Sequence, residues 1–198
     1  MPKIGMEPYR REALISATIE TLGDQGSLDV RVADIARKAG VSSGLAHHYF
    51  GSKERLLDAT MHHLLVLLGT ASGASQRISK TPEQRLQAIL ETNFSPRQFE
   101  PSTIATWLIF YVRAISHPEA RRLLRIYIRR LNSNLTYALR QKTDADNARR
   151  IARGAAALID GLWLRAALKH ETFDADTSIE TVRRYIASEL QMSLWGSE

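Results

Sequence analysis

The sequence predicts an all-α protein. Two observations carry that reading. Every long apolar pattern repeats at helical spacing, and proline, glycine or aspartate stands at the joints. No stretch argues for a strand. At 198 residues the chain suits one medium domain or two small ones, and a core can close without staples. There is no cysteine, which excludes disulfides, thiolate metal sites and a cysteine nucleophile. No apolar run approaches the ~20 residues a membrane helix needs. The opening MPKIGMEPYRR lacks the apolar segment of a secretion signal. The expectation is a cytoplasmic protein with no membrane partner.

Each element has a local cause. The first helix runs from about Pro8 to Gln25, with Leu14, Ile15, Thr18, Ile19 and Leu22 inward and Gly26 at its end. Val32, Ile35, Ala36 and Ala39 mark one face of a second helix. Gly40 supplies the left-handed residue that ends it, and Ser42 can cap the next. The third helix, Ser43 to Tyr49, carries small and polar side chains. That suits a groove better than a core. Ser52 caps a fourth helix reaching about Ala71, with Leu56, Leu57, Thr60, Met61, Leu64, Leu65 and Leu68 buried. Ser72 to Lys80 reads as a polar loop. Thr81-Pro82-Glu83-Gln84 is a capping box ahead of Leu86, Ile89, Leu90 and Phe94. Pro96 breaks the run. Pro101 opens a helix expected to bury Ile104, Trp107, Leu108, Tyr111, Val112 and Ile115. Pro118 opens a long helix with Leu123, Leu124, Tyr127, Leu131, Leu135 and Ala138 inward. Its arginines 121, 122, 125 and 129 read as a solvated face. Two apolar helices, Ala148–Lys169 and about Thr177–Met192, close the chain.

The segment IARKAGVSSGLAHHYFGSKERLL resembles the helix-turn-helix signature of the TetR family of repressors. The matching residues are Ile35-Ala36, Ala39-Gly40-Val41-Ser42, Gly44, Tyr49-Phe50, Lys53-Glu54 and Leu56. Two positions depart: the family usually has Tyr where His47 stands, and often Thr or Ser where Arg31 stands. The resemblance implies residues 1–52 as a DNA-binding domain, with the recognition helix at about 42–49. Residues 53–198 would then form a helical ligand-binding and dimerisation domain. No arginine lies between Val41 and Gly51, so the usual arginine–guanine readout is absent there. Readout is expected from Ser43, Leu45, His47 and His48, with Arg31 assisting and Gly44 within the same helix. Ser42, Tyr49 and Lys53 are expected on phosphates. Residues 1–63 hold eight basic and eight acidic side chains, so the formal net charge of +6 arises later in the chain. Local placement must therefore serve DNA, with Lys3, Arg10 and Arg11 as further candidates.

LQAILETNF, IATWLIFYVRA, RLLRIYIRRLNSNL and AALIDGLWLRAAL resemble the choline-responsive members of that family. This implies repression of choline-to-betaine genes, relieved by choline. A quaternary ammonium donates no conventional hydrogen bond and needs aromatic faces. Trp107 and Tyr111 share a helical face, with Phe110 beside them, and Trp163 follows Asp160 by three. The expected cage is Trp107, Phe110, Tyr111 and Trp163, with Asp160 or Glu91 as counter-charge. The alternative is core aromatics and an aspartate bonded to a neighbouring helix or to the twin subunit. A homodimer is expected through the last two helices, at Ala155, Ile159, Leu162, Ala166, Val182 and Ile186. Such a two-fold suits two recognition helices one DNA turn apart. No catalytic motif appears, and neither His47-His48 nor His62-His63 has the ligands of a metal site, so no enzyme, metal or cofactor is expected. Rival readings are a TetR-type repressor answering another effector, and a helical ligand-binding protein without DNA.

Overall fold

The computed structural model describes residues 5–27, 29–169 and 174–192. Among them are nine α-helices and no strand: α1 (Glu7–Gln25), α2 (Val32–Lys38), α3 (Ser43–Phe50), α4 (Lys53–Ile78), α5 (Pro82–Asn93), α6 (Pro101–Ser116), α7 (Pro118–Leu139), α8 (Ala145–Lys169) and α9 (Ala175–Met192). A single 3-10 turn, Pro96–Phe99, separates α5 from α6. The chain divides into two compact units, Met1–Val66 with Glu100–Leu124, and Leu67–Phe99 with Arg125–Glu198.

In the first unit α1 packs on α2, α3 and α6. Leu14, Leu22, Ile35, Leu56, Leu57, Met61 and Phe110 form its fully buried centre. At Gly23 a Cβ would lie 2.6 Å from the Ser102 Cα, so only glycine lets α1 and α6 approach this closely. Helix α6 buries a face other than the expected one. Thr103, Thr106, Trp107, Ile109, Phe110, Arg113 and Ala114 are inside, whereas Val112 and Ile115 are 59% and 75% exposed. The helix is apolar on two sides, so periodicity could not choose between them. What fixes its rotation is polar: buried Arg113 donates to Asp58 of α4 at 2.8 Å.

The second unit closes around Leu90, Leu135, Leu139, Ala148, Ile151, Ala155, Ile159, Val182 and Ile186. Here α9 packs on α8 and α5. Helix α4 does not stop at Ala71. Its Ser/Gly-rich tail stays helical to Ile78 because Ser72 and Gln76 are buried and bonded to each other at 2.6 Å. The Ser75 hydroxyl also folds back onto the Ala71 carbonyl. The capping box at Thr81 forms with a shift: Thr81 Oγ1 accepts from Gln84 N–H, while Gln84 Oε1 accepts from Lys80 N–H. Helices α8 and α9 begin earlier than their apolar patterns because Asp144 and Asp174 cap them, each accepting two backbone N–H bonds. Those bonds hold both carboxyls below the usual range; for Asp174 the Thr177 hydroxyl contributes most.

Four residues expected at a dimer interface are instead enclosed in this chain's own core: Ala155, Ile159, Val182 and Ile186. The two helices turn their strongest apolar stripes inward, toward each other and toward the rest of the second unit. Leu162 and Ala166 keep partial exposure. Gly154 likewise serves the chain itself, because a Cβ there would collide with the Tyr185 ring of α9, 1.9 Å from its hydroxyl oxygen.

Candidate operator-reading and effector sites

The turn between α2 and α3 is built by three local devices. Gly40 adopts φ 67°, a conformation costly for other residues. Val41 N–H then reaches back to the Ala36 carbonyl at 2.9 Å, closing the end of α2. Ser42 Oγ accepts from Leu45 N–H at 3.2 Å and starts α3. Arg31 occupies the N-cap position of α2 with extended backbone and no side-chain cap bond, which leaves its guanidinium exposed.

Helix α3 is anchored through Ala46 and Phe50, both buried. Its other residues face outward: Ser43, Gly44, His47 and His48 are exposed, as is the N-cap Ser42, while Leu45 and Tyr49, and Lys53 at the start of α4, are partly so. At Gly44 a Cβ would meet nothing within 4 Å, so nothing in the chain requires that glycine. His47 Nδ1 lies 3.5 Å from the Gly51 carbonyl, and the His48 and Tyr49 rings are tilted together at 5.6 Å.

Arg11 has a different role from the phosphate contact expected of it. Its guanidinium donates to the Tyr49 carbonyl at 2.5 Å and stacks over the Phe50 ring at 4.4 Å. A cation at the C-terminus of α3 satisfies a carbonyl and complements the helix dipole. Lys38 is committed too, to Asp24 at 2.7 Å and Glu20 at 3.3 Å on α1. Arg10 is partly buried, and Lys3 lies outside the described residues.

The expected effector residues fall in both units. In the first, Trp107, Phe110 and Tyr111 form an aromatic group on α6, with ring centres 5.6 and 6.2 Å from Trp107. Trp107 and Phe110 are core residues, while Tyr111 is half-buried. In the second, Asp160 accepts a 2.8 Å bond from the Tyr127 hydroxyl. Burial pushes its carboxyl above the usual range, and the phenol bond only partly opposes that. Three residues on, Trp163 donates Nε1–H to the Gln98 carbonyl at 3.2 Å, with its ring 6.5 Å from Phe99. The sequence marks Tyr127 only as an inward residue of its helix and leaves Gln98 and Phe99 aside, since the three lie 33, 65 and 64 positions from their partners. The alternative counter-charge, Glu91, is exposed, accepts from Gln87, and lines a groove with Ile186 and Leu190 of α9 that does not include Asp160.

Comparison with known proteins fits this geometry. Residues 14–60 match the model of bacterial regulatory proteins of the TetR family. Residues 82–191 match the C-terminal domain of BetI-type transcriptional repressors. The chain is 55% identical to the HTH-type transcriptional regulator BetI of Brucella suis, over 96% of each protein. A transcriptional regulator from Pseudomonas aeruginosa PAO1 shares the fold with a TM-score of 0.82 at 25% identity, covering 93% of this chain and 91% of that one. A transcriptional regulator from Saccharomonospora viridis, solved in complex with choline, shares it with a TM-score of 0.79 at 22% identity, covering 89% and 95%. A helix-turn-helix with an outward polar recognition helix, joined to a BetI-type C-terminal domain, is a DNA-binding transcriptional regulator, and the chain belongs to the TetR family.

Proposed function

We propose that the protein represses choline-to-betaine genes as a cytoplasmic homodimer and that a quaternary ammonium, choline, releases it from its operator. The observation that carries the ligand class is Asp160. It is a partly buried carboxylate bonded to a phenol, with no Lys or Arg paired to it among the described residues. Ionising such a group costs free energy that a bound cation recovers. Trp163, one helical turn on, offers the aromatic surface a quaternary ammonium prefers. The Saccharomonospora viridis regulator, which shares the fold, was solved in complex with choline, and that supports this ligand class.

On the DNA side, Ser43, Leu45, His47 and His48 read base edges, with Arg31 and the open approach at Gly44 helping. Ser42, Tyr49 and Lys53 fix the register on phosphates. Ser42 Oγ already caps α3, so its contribution to phosphate is through the ordered helix start. Residues 1–52 carry this role, and 53–198 carry effector binding and self-pairing. Because Ala155, Ile159, Val182 and Ile186 are enclosed, we place the pairing surface on the outward stripe of α8. There, exposed Ala157, Leu164 and Leu168 flank Gly161, which has nothing within 4 Å of a Cβ position. Helix α4 starts three residues after α3 and continues into the second unit, so it carries the effector's influence to the reader. Choline and DNA then weaken each other's binding by the same factor.

Calorimetry with choline and with betaine tests the ligand. Choline should bind, the zwitterion more weakly, and Asp160→Asn should abolish choline binding while leaving DNA binding intact. Silence from both compounds at millimolar concentration rejects the choline reading.

A further inference from the structure

We infer that Trp163 is the relay residue that converts effector binding at Asp160 into a change at α6, through the turn Pro96–Phe99. This rests on the effector reading above.

The chain passes from one compact unit to the other at residues 66/67, 99/100 and 124/125. The first and third passages lie inside α4 and α7, where a sharp change of direction must interrupt the helical hydrogen-bond ladder. The second lies at Glu100, whose backbone is extended (φ −61°, ψ 133°) and whose side chain makes no cap bond to α6. This is the one passage of the three where the backbone can rotate without opening a helix.

On the second-unit side, Trp163 fastens that joint. Its indole N–H is satisfied by the Gln98 carbonyl, and its ring lies against Phe99, the last residue before the passage. A buried indole needs such a partner, so any shift of Trp163 has to be followed by Gln98 or compensated. Trp163 and Asp160 stand one turn apart on α8, on adjoining sides of the helix. A cation drawn to the carboxylate therefore acts on the turn of helix that holds Trp163. Beyond the joint, α6 has little slack, since the Ser102 backbone sits against Gly23 of α1. The path thus runs along α8 from Asp160 to Trp163, across to Gln98 and Phe99, through the covalent joint, and on to α6 and α1.

The test uses the full chain and labelled DNA from upstream of its own gene. Choline affinity is measured by calorimetry, and DNA affinity by fluorescence anisotropy with and without choline. Trp163→Phe keeps a ring and removes the N–H donor. Without choline it should bind DNA within about threefold of wild type, and its coupling is read at saturating choline, whatever its choline affinity. The choline-induced loss of DNA affinity should shrink from the roughly 5–150-fold of ordinary allosteric coupling to about twofold. Phe99→Leu, which keeps the core apolar, should bind choline normally and lose part of the coupling; it carries the test if Trp163→Phe does not fold. Full coupling in both variants overturns the relay. If Trp163→Phe binds no choline, Phe99→Leu decides: reduced coupling there supports the relay and full coupling overturns it. A wild-type chain indifferent to choline sinks the effector reading itself, and the relay with it.

Discussion

The two compact units treat their buried charge in opposite ways. In the first, Arg113 is 4% exposed and is met by Asp58 at 2.8 Å, and Arg11 is spent on the end of α3. Charges there hold helices in register, and the side chains on the outer face of α3 are left for something outside the chain. In the second, Asp160 is partly buried, is bonded to a phenol, and has its carboxyl pushed upward by burial. A charge with its counter-ion in place serves architecture. A charge held without one is suited to a ligand.

The largest expected effect breaks the first half of this comparison. Arg113→Met leaves Asp58 unpaired against α6 and should cost about 3 kcal/mol in urea unfolding, whereas pairing it with Asp58→Leu should recover most of that. If the single variant is as stable as wild type, the pair does not set the rotation of α6. Gly154→Ala comes next. It forces a methyl into the Tyr185 ring and should cost about 1–3 kcal/mol, while Gly73→Ala, with nothing within 4 Å, should gain up to about 1 kcal/mol. Ser42→Ala removes the α3 cap and should cost about 1 kcal/mol, with a parallel loss of DNA affinity.

Asp160→Asn gives the smallest change in stability and the sharpest contrast. A carboxyl whose folded pKa is raised contributes stability below its unfolded pKa and loses it as pH rises through the folded value. Above its folded pKa, where it is ionised, the wild type should therefore be slightly less stable than Asp160→Asn. The gap should close on acidification through the raised folded value, above the ordinary carboxylate pKa. Wild-type affinity for choline should fall over the same window. An aspartate variant that is less stable at neutral pH would show that Asp160 is structural, like Arg113.

How much was legible followed from how local each signal is. The reader could be taken from the sequence because Gly40, Ser42 and the Ala46/Phe50 anchor act over a few residues. Arg11 misled because its partner at Tyr49 is 38 positions away. The extension of α4 was hidden because Ser72 and Gln76 look polar until they are buried together. Helix α6 carries apolar residues on two sides, and only Asp58 discloses which one turns inward. In the second unit, Asp160 and Trp163 were visible as an unusual pair on an apolar helix. Their partners Tyr127, Gln98 and Phe99 come from other elements. Four of the six residues expected at an interface on α8 and α9 are covered by their own chain, because an apolar stripe gives no sign of whether its own chain or a twin covers it.

The most direct measurement is anisotropy of labelled upstream DNA titrated with the protein, repeated at rising choline concentration, for wild type and Asp160→Asn. The expected result is tight, salt-sensitive binding by both proteins, weakened at least about fivefold by choline in wild type alone. No binding at low salt, or equal weakening in both proteins, would contradict it.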